Sequence, residues 1–332
     1  MPFPIIDAHQ HVWDPALAEY DWLGPETPEI NRAIGFEELE PQLASAGVDF
    51  TVLVQSADNA EDTQLMVATA ARHRQVAAVV GWAPLDDPAR AGVTIESYAA
   101  DPLMVGVRTL IHNQADADWL LRDDVDQSLG MLEAAGLTFD IVAVLPRHLE
   151  LVPIIAARHP DLRIAIDHLA KPPIGLGDRE PWWSLIQKAA ACPLVYAKVS
   201  GLYSATDDLA NWTPDLISPF VDRALDTFGP RRLMYGGDWP ISLLAGGYAT
   251  VWAGVSALFD RLSAPDREQV LGRAAADFYR IPLARLAREA LVTNITQVSP
   301  PIPCLIRSSQ DAPDGVSADF DQDPRTTDKG RP

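Results

Sequence analysis

The chain has only two cysteines in 332 residues, Cys192 and Cys304, far apart and outside any CxxC or Cys/His cluster. This excludes a disulfide framework and a thiolate metal site. No stretch approaches the roughly 20 uncharged apolar residues that a membrane-spanning helix needs. Met1 to Ile6 has neither a basic n-region nor a long apolar h-region, so no signal peptide is read and the chain is expected to be cytoplasmic. Positive charge is scarce as well: 26 Lys and Arg stand against 46 Asp and Glu, a formal net charge of −20. So acidic a surface repels nucleic acid and anionic lipid, and both are set aside as partners. No P-loop, no GxSxG and no serine-triad pattern is found, and no GxGxxG opens a helix after the first apolar run.

What is present is a chain 48% hydrophobic, in which short apolar runs alternate with segments of helical period. The runs are Pro4 to His9, Val48 to Gln55, Val76 to Trp82, Met104 to Arg108, Leu137 to Val142, Leu162 to His168, Leu194 to Val199 and Leu233 to Asp238. Several are apolar at consecutive positions, as strands buried on both faces are. Helical patterns lie between them at Phe36 to Ala46, Glu61 to His73, Val125 to Ala135, Leu149 to His159, Trp182 to Ala191 and Pro214 to Phe228. Pro41 predicts a late start for the first of these, because proline fits only a first helical turn. Strand–helix alternation with eight strands predicts a single-domain α/β fold, a TIM-type (β/α)8 barrel over residues 1–297. After Val298 the sequence turns rich in Pro, Asp and Ser, and residues 298–332 are expected to form a disordered tail.

In such a barrel the chemistry sits where strands end. His9 and His11, in IIDAHQHVWD, share one face of the first strand, with Asp7 one step deeper on the same side. Two imidazoles so placed make a natural metal pair. His168 ends the sixth strand in IAIDHLAKPP, where Lys171-Pro172-Pro173 forces the chain away. Asp238 ends the eighth, after two glycines in LMYGGDWP, and the eighth strand neighbours the first in a closed barrel. A carboxylate there serves as cation ligand or as general base on a water; a helix N-cap is the structural alternative. The glycines point to close backbone approach or unusual dihedrals.

Three further groups read as substrate contacts. Arg108 ends the fourth strand, where a fixed guanidinium can hold a carboxylate, a carbonyl or hydroxyls. Lys198 lies in an otherwise apolar strand, which is unusual unless it is paired or faces a cavity. Trp22, on the long loop after the first strand, can stack on a ring. His112 and His148 follow the fourth and fifth strands and join the mouth-side candidates. His73 and His159 fall at helix C-termini and read as structural.

The runs DAHQHVWDP, YDWL, GVR, LLR, LPRHL, DHLAKPP, KVSGL and MYGGDWP, in this order over roughly residues 4 to 290, resemble the amidohydrolase-related lactonases. The resemblance implies a distorted (β/α)8 barrel that opens a small-molecule lactone with water, in sugar-acid breakdown. It implies Asp238 as the base, with His9, His11 and His168 polarising the carbonyl or holding a divalent metal together with Asp238. Zinc is the expected ion. Arg108 stands where a binuclear site would want a bridging Lys or Glu, so one metal at most is expected; members of the group differ on whether a metal is needed, which leaves a metal-independent enzyme open. Two positions depart from it: Gly237 replaces the Ser of GSDWP, and Ala274 replaces an Asn of the C-terminal helix. The rival readings are a metal-dependent non-hydrolytic decarboxylase on the same barrel and a catalytically silent ligand-binding barrel. A homo-oligomer is compatible with all of them.

Overall fold

Runs apolar at every position need cover on both faces, and the structure gives it to them. The computed structural model describes residues 2–206 and 208–287. The expected tail, and its boundary at 298, lie outside the described residues. Eight strands form one parallel sheet in chain order: β1 Ile6–Gln10, β2 Phe50–Val54, β3 Val76–Gly81, β4 Met104–Thr109, β5 Thr138–Ile141, β6 Ile164–Ile166, β7 Val195–Val199 and β8 Leu233–Tyr235. Closure comes just beyond β8. Asp238 N donates to His9 O at 2.8 Å and His11 N to Trp239 O at 2.7 Å, which ties β1 to the GGDW segment. The expected TIM-type barrel is the observed fold.

Helices fill the crossovers: α1 Phe36–Ala46, α2 Ala60–Arg72, α3 Pro88–Ala100, α4 Asp123–Ala135, α5 Pro146–Arg158, α6 Trp182–Ala190, α7 Pro214–Phe228 and α8 Tyr248–Ala257, then the short α9 Ala264–Glu268 and α10 Ala274–Phe278. α1 begins at Phe36, not late: Pro41 is inside the helix and exposed, on a face where the carbonyl it leaves without a helical partner is open to solvent. α3 escaped the sequence reading. Its signals are local, Asp87 capping Arg90 N at 3.2 Å and Pro88 in the first turn.

Two strand ends and one register also differ from expectation, and each matters to the site. β6 stops at Ile166 and β8 at Tyr235, short of His168 and Asp238. His168, Leu169, Ala170, Lys171 and Asp238 all have φ between 49° and 60°, a left-handed backbone that no strand continues. In β1 the pairing with β2 shifts register between Asp7 and Gln10. That irregularity breaks the two-residue alternation. Asp7 therefore does not lie beneath His9; it turns to α8, where Tyr248 donates to its Oδ2 at 2.9 Å.

Inside the barrel, Ile6, Ala8, Phe50, Val52, Val54, Ala78, Val80, Ala165 and Met234 pack with Phe278 and Tyr279. Above this apolar floor the interior becomes charged.

Candidate active site

Arg108, Asp140 and Lys198 come from β4, β5 and β7, and Asp167 follows β6; all four are buried inside the barrel. Lys198 Nζ lies 2.5 Å from Asp140 Oδ2 and 3.0 Å from Asp167 Oδ1. Tyr279 OH donates to the same Asp140 oxygen at 2.7 Å. Burial pushes the Asp140 carboxyl up despite Lys198. Burial would raise Asp167 too, but Lys198, His9 and Arg108 together hold it well below the usual range. Sequence reasoning placed Lys198 among the substrate contacts. Its side chain is instead fully enclosed beneath His9, spent on two carboxylates, and does not line the cavity.

His9 rests on this network. Its Nδ1 lies 3.4 Å from Asp167 Oδ1, and its Nε2 lies 3.1 Å from Arg108 Nη1. Lys198 Nζ is also 3.1 Å from Nδ1. Each ring nitrogen thus has a cation beside it and a carboxylate within reach, Asp167 at Nδ1 and Asp238 at Nε2, so either tautomer of the neutral ring finds a partner. Burial, ahead of all other effects, lowers the His9 imidazole and keeps it neutral near pH 7.

Above His9 the four groups singled out from the sequence converge. His9 Nε2 is 3.6 Å from Asp238 Oδ1, His11 Nε2 is 3.3 Å from the same oxygen, and His168 Nδ1 is 4.0 Å from Oδ2. The His9 ring stands edge-on to His11 and His168, with centroids 4.8 and 4.6 Å away. His11 Nδ1 is 2.7 Å from the Val54 carbonyl, which places its hydrogen there and turns the Nε2 lone pair into the site. His168 Nδ1 is 3.0 Å from Ser200 Oγ. Burial lowers His168 to about 4. Burial alone would raise Asp238, but the pull of His168, His11 and His9 outweighs it and holds the carboxyl ionised.

The two glycines before Asp238 are required by contact. A Cβ on Gly236 would lie 2.6 Å from the His9 Cβ, and one on Gly237 would lie 2.4 Å from the Tyr248 ring and 2.6 Å from Asp7 Oδ2. Asp7 in turn accepts from Gly237 N at 2.9 Å and from the Gln10 amide, fastening β1 to the GGDW turn.

One ligand atom each from His9, His168 and Asp238 lies within 4.8 Å of the others, all three residues are buried, and His11 offers its lone pair beside them. Two imidazoles and a carboxylate with open positions suit one divalent ion such as zinc. Arg108 and Lys198 already crowd His9 with positive charge, which leaves no place for a second ion.

A cavity of about 240 Å³ opens over this cluster, lined among others by His11, Trp22, Arg108, His168, Lys171 and Asp238. Trp22 lies at its rim, with Nε1 donating to Ser56 O at 2.7 Å. His148, expected near the substrate, is not in the lining. It is buried in the first turn of α5, where its Nδ1 faces Val144 N and Leu145 N at 3.3 and 3.4 Å, so it caps a helix. His112 does line the cavity, and burial lowers it to about 4. Sequence reasoning missed Asp167 and Asp140, and it took Lys171 only for the end of a strand.

The amidohydrolase family model matches residues 6–281. The chain belongs to the amidohydrolase family. Two curated relatives are L-fucono-1,5-lactonases. The one from Burkholderia ambifaria is 41% identical over 285 residues, covering 83% of this chain and 95% of the relative. The one from Burkholderia multivorans is 32% identical, covering 83% and 96%. A solved structure of an amidohydrolase from Burkholderia multivorans with bound zinc superposes with a TM-score of 0.78 at 30% identity, covering 84% of this chain and all of that one. Among the described residues of this amidohydrolase, no helix is long and apolar enough to cross a membrane.

Proposed function

We propose that this amidohydrolase opens a sugar-acid lactone with water, as a cytoplasmic enzyme of sugar-acid breakdown. The observation that carries the reading is Asp238, an ionised carboxylate 3.3 to 4.0 Å from three imidazoles at the base of a cavity sized for one small ring. Its similarity to two L-fucono-1,5-lactonases supports the choice of substrate class.

Asp238 takes a proton from water as the oxygen attacks the ring carbonyl. Arg108 supplies a fixed positive charge for the developing oxyanion, and His168, whose Nδ1 can accept from Ser200 Oγ, can turn a ring hydrogen on Nε2 to it. Preorganised charge of this kind is worth several kcal/mol in a dry site. Asp238 then returns its proton as the ring C–O bond breaks, and the product hydroxy acid leaves. His9, His168 and Asp238, with His11, would hold a single divalent ion, which when bound polarises a carbonyl and acidifies a water.

The test is acid release from a panel of aldonolactones, followed with a pH indicator, for the wild type and Asp238→Asn. Loss of a general base typically costs ~10²–10⁴ in rate. The variant should fall by at least the lower figure while melting like the wild type. Near-normal turnover in Asp238→Asn would overturn the base assignment. No acid release from any lactone by the wild type would overturn the reaction class and favour a decarboxylase or a silent barrel.

A further inference from the structure

The tetrahedral intermediate of lactone opening has three oxygens, and the mechanism above supplies protein groups for two of them. Asp238 serves the attacking oxygen, and Arg108 with His168 serves the carbonyl oxygen. The ring oxygen, which leaves with the electron pair of the broken C–O bond, receives its proton from Asp238 but has no fixed hydrogen bond while charge builds on it. Among the cavity-lining residues most hydrogens are already committed. Ser56 Oγ donates to Asp62 Oδ1 at 3.1 Å, Ser204 Oγ to Gly201 O at 2.6 Å, and Trp22 Nε1 to Ser56 O at 2.7 Å. Arg108 is turned to His9 and to Asp167, 3.4 Å away.

Lys171 is different. Its ammonium has three hydrogens. One goes to Ser204 Oγ, which is free to accept because its own hydrogen goes to Gly201. The other two are available to the cavity that Lys171 shares with Asp238 and His168. The backbone spends strain to put it there, since Lys171 closes the left-handed run that begins at His168. We propose that Lys171, anchored by Ser204, is a catalytic residue that hydrogen-bonds the leaving ring oxygen. It stays protonated throughout; the proton that the oxygen finally keeps is the one Asp238 took from water. Burial pulls the Lys171 amine down, with Asp238 opposing, which makes it a readier donor.

This rests on the lactonase reading, and the test separates the two. Lys171→Met and the wild type are assayed on an aldono-1,5-lactone and on its 5-thio counterpart, which keeps every hydroxyl but leaves as a thiolate that needs little hydrogen bonding. Loss of one donor to developing charge typically costs ~10²–10³ in kcat. The expected result is a loss of that size on the oxygen lactone and less than about tenfold on the thiolactone. Equal losses on both would mean that Lys171 binds hydroxyls or supports the fold, and would overturn the proposal. If Lys171→Met does not fold, Ser204→Ala, which removes only the anchor, should show the same asymmetry at smaller size, and equal losses would again refute it. A wild type inactive on the oxygen lactone refutes the lactonase reading instead.

Discussion

Lys198 gives the sharpest check on the charged interior. Its ammonium is fully buried between Asp140 at 2.5 Å and Asp167 at 3.0 Å. At an effective dielectric near 20, the two contacts represent about 6.6 and 5.5 kcal/mol of gross attraction, much of it cancelled by the desolvation of the ions. Lys198→Met removes the attraction and leaves the desolvation in place. Breaking a buried pair from one side typically costs about 3–5 kcal/mol. At roughly 2 °C per kcal/mol for a domain this large, melting should drop by about 6–10 °C. The pairing predicts more than a loss, because Asp140→Asn in the same chain removes the carboxylate that Lys198→Met strands. Calorimetry on wild type, both singles and the double should therefore yield a coupling energy of about 2–3 kcal/mol, with the double more stable than Lys198→Met alone. A Lys198→Met penalty below ~1 kcal/mol, or strictly additive single effects, would refute the reasoning.

Two further outcomes follow from the same geometry. Zinc titrated into metal-stripped protein should saturate at one equivalent per chain, and His168→Ala should abolish that binding; a second equivalent of comparable affinity would contradict the crowding of His9 by Arg108 and Lys198. Burial lowers both His112 and His168 to about 4, against 6.5 for an unperturbed imidazole. Between those values the unfolded chain takes up protons that the folded chain refuses, so stability should fall as pH drops from 6.5 towards 4. His112→Gln should flatten that slope in urea titrations, and an unchanged slope would count against a neutral buried His112.

The barrel was legible because buried parallel strands announce themselves as unbroken apolar runs, and His9, His11, His168 and Asp238 were legible because they stood at the ends of those runs. What stayed hidden has local physical causes. A register shift in β1 turned the Asp7 side chain to Tyr248 and the His9 backbone rather than beneath the His9 ring. Nothing in the residue types His, Leu, Ala and Lys announces the left-handed turn after β6, so Lys171 read as the chain leaving the barrel rather than facing its mouth. The rule that a lysine in an apolar strand is either paired or faces a cavity was sound for Lys198, and pairing was the side that held. His148 looked like a mouth residue because the first turn of α5 begins close to the end of β5, and from sequence a cap and a ligand are the same histidine.

The left-handed turn also bears on how this chain responds to selection. Each non-glycine residue held in that conformation costs of the order of 1 kcal/mol, and five of them stand at the barrel mouth: His168, Leu169, Ala170, Lys171 and Asp238. Glycine relieves that cost wherever a side chain is dispensable, so a search for heat-resistant variants will be drawn to the barrel mouth. At Ala170 the relief removes a single methyl group. At His168, Lys171 and Asp238 the same exchange would relieve the same strain while deleting the groups proposed to do the chemistry. Heat resistance and turnover compete here residue by residue, so a screen on stability alone would select against the enzyme.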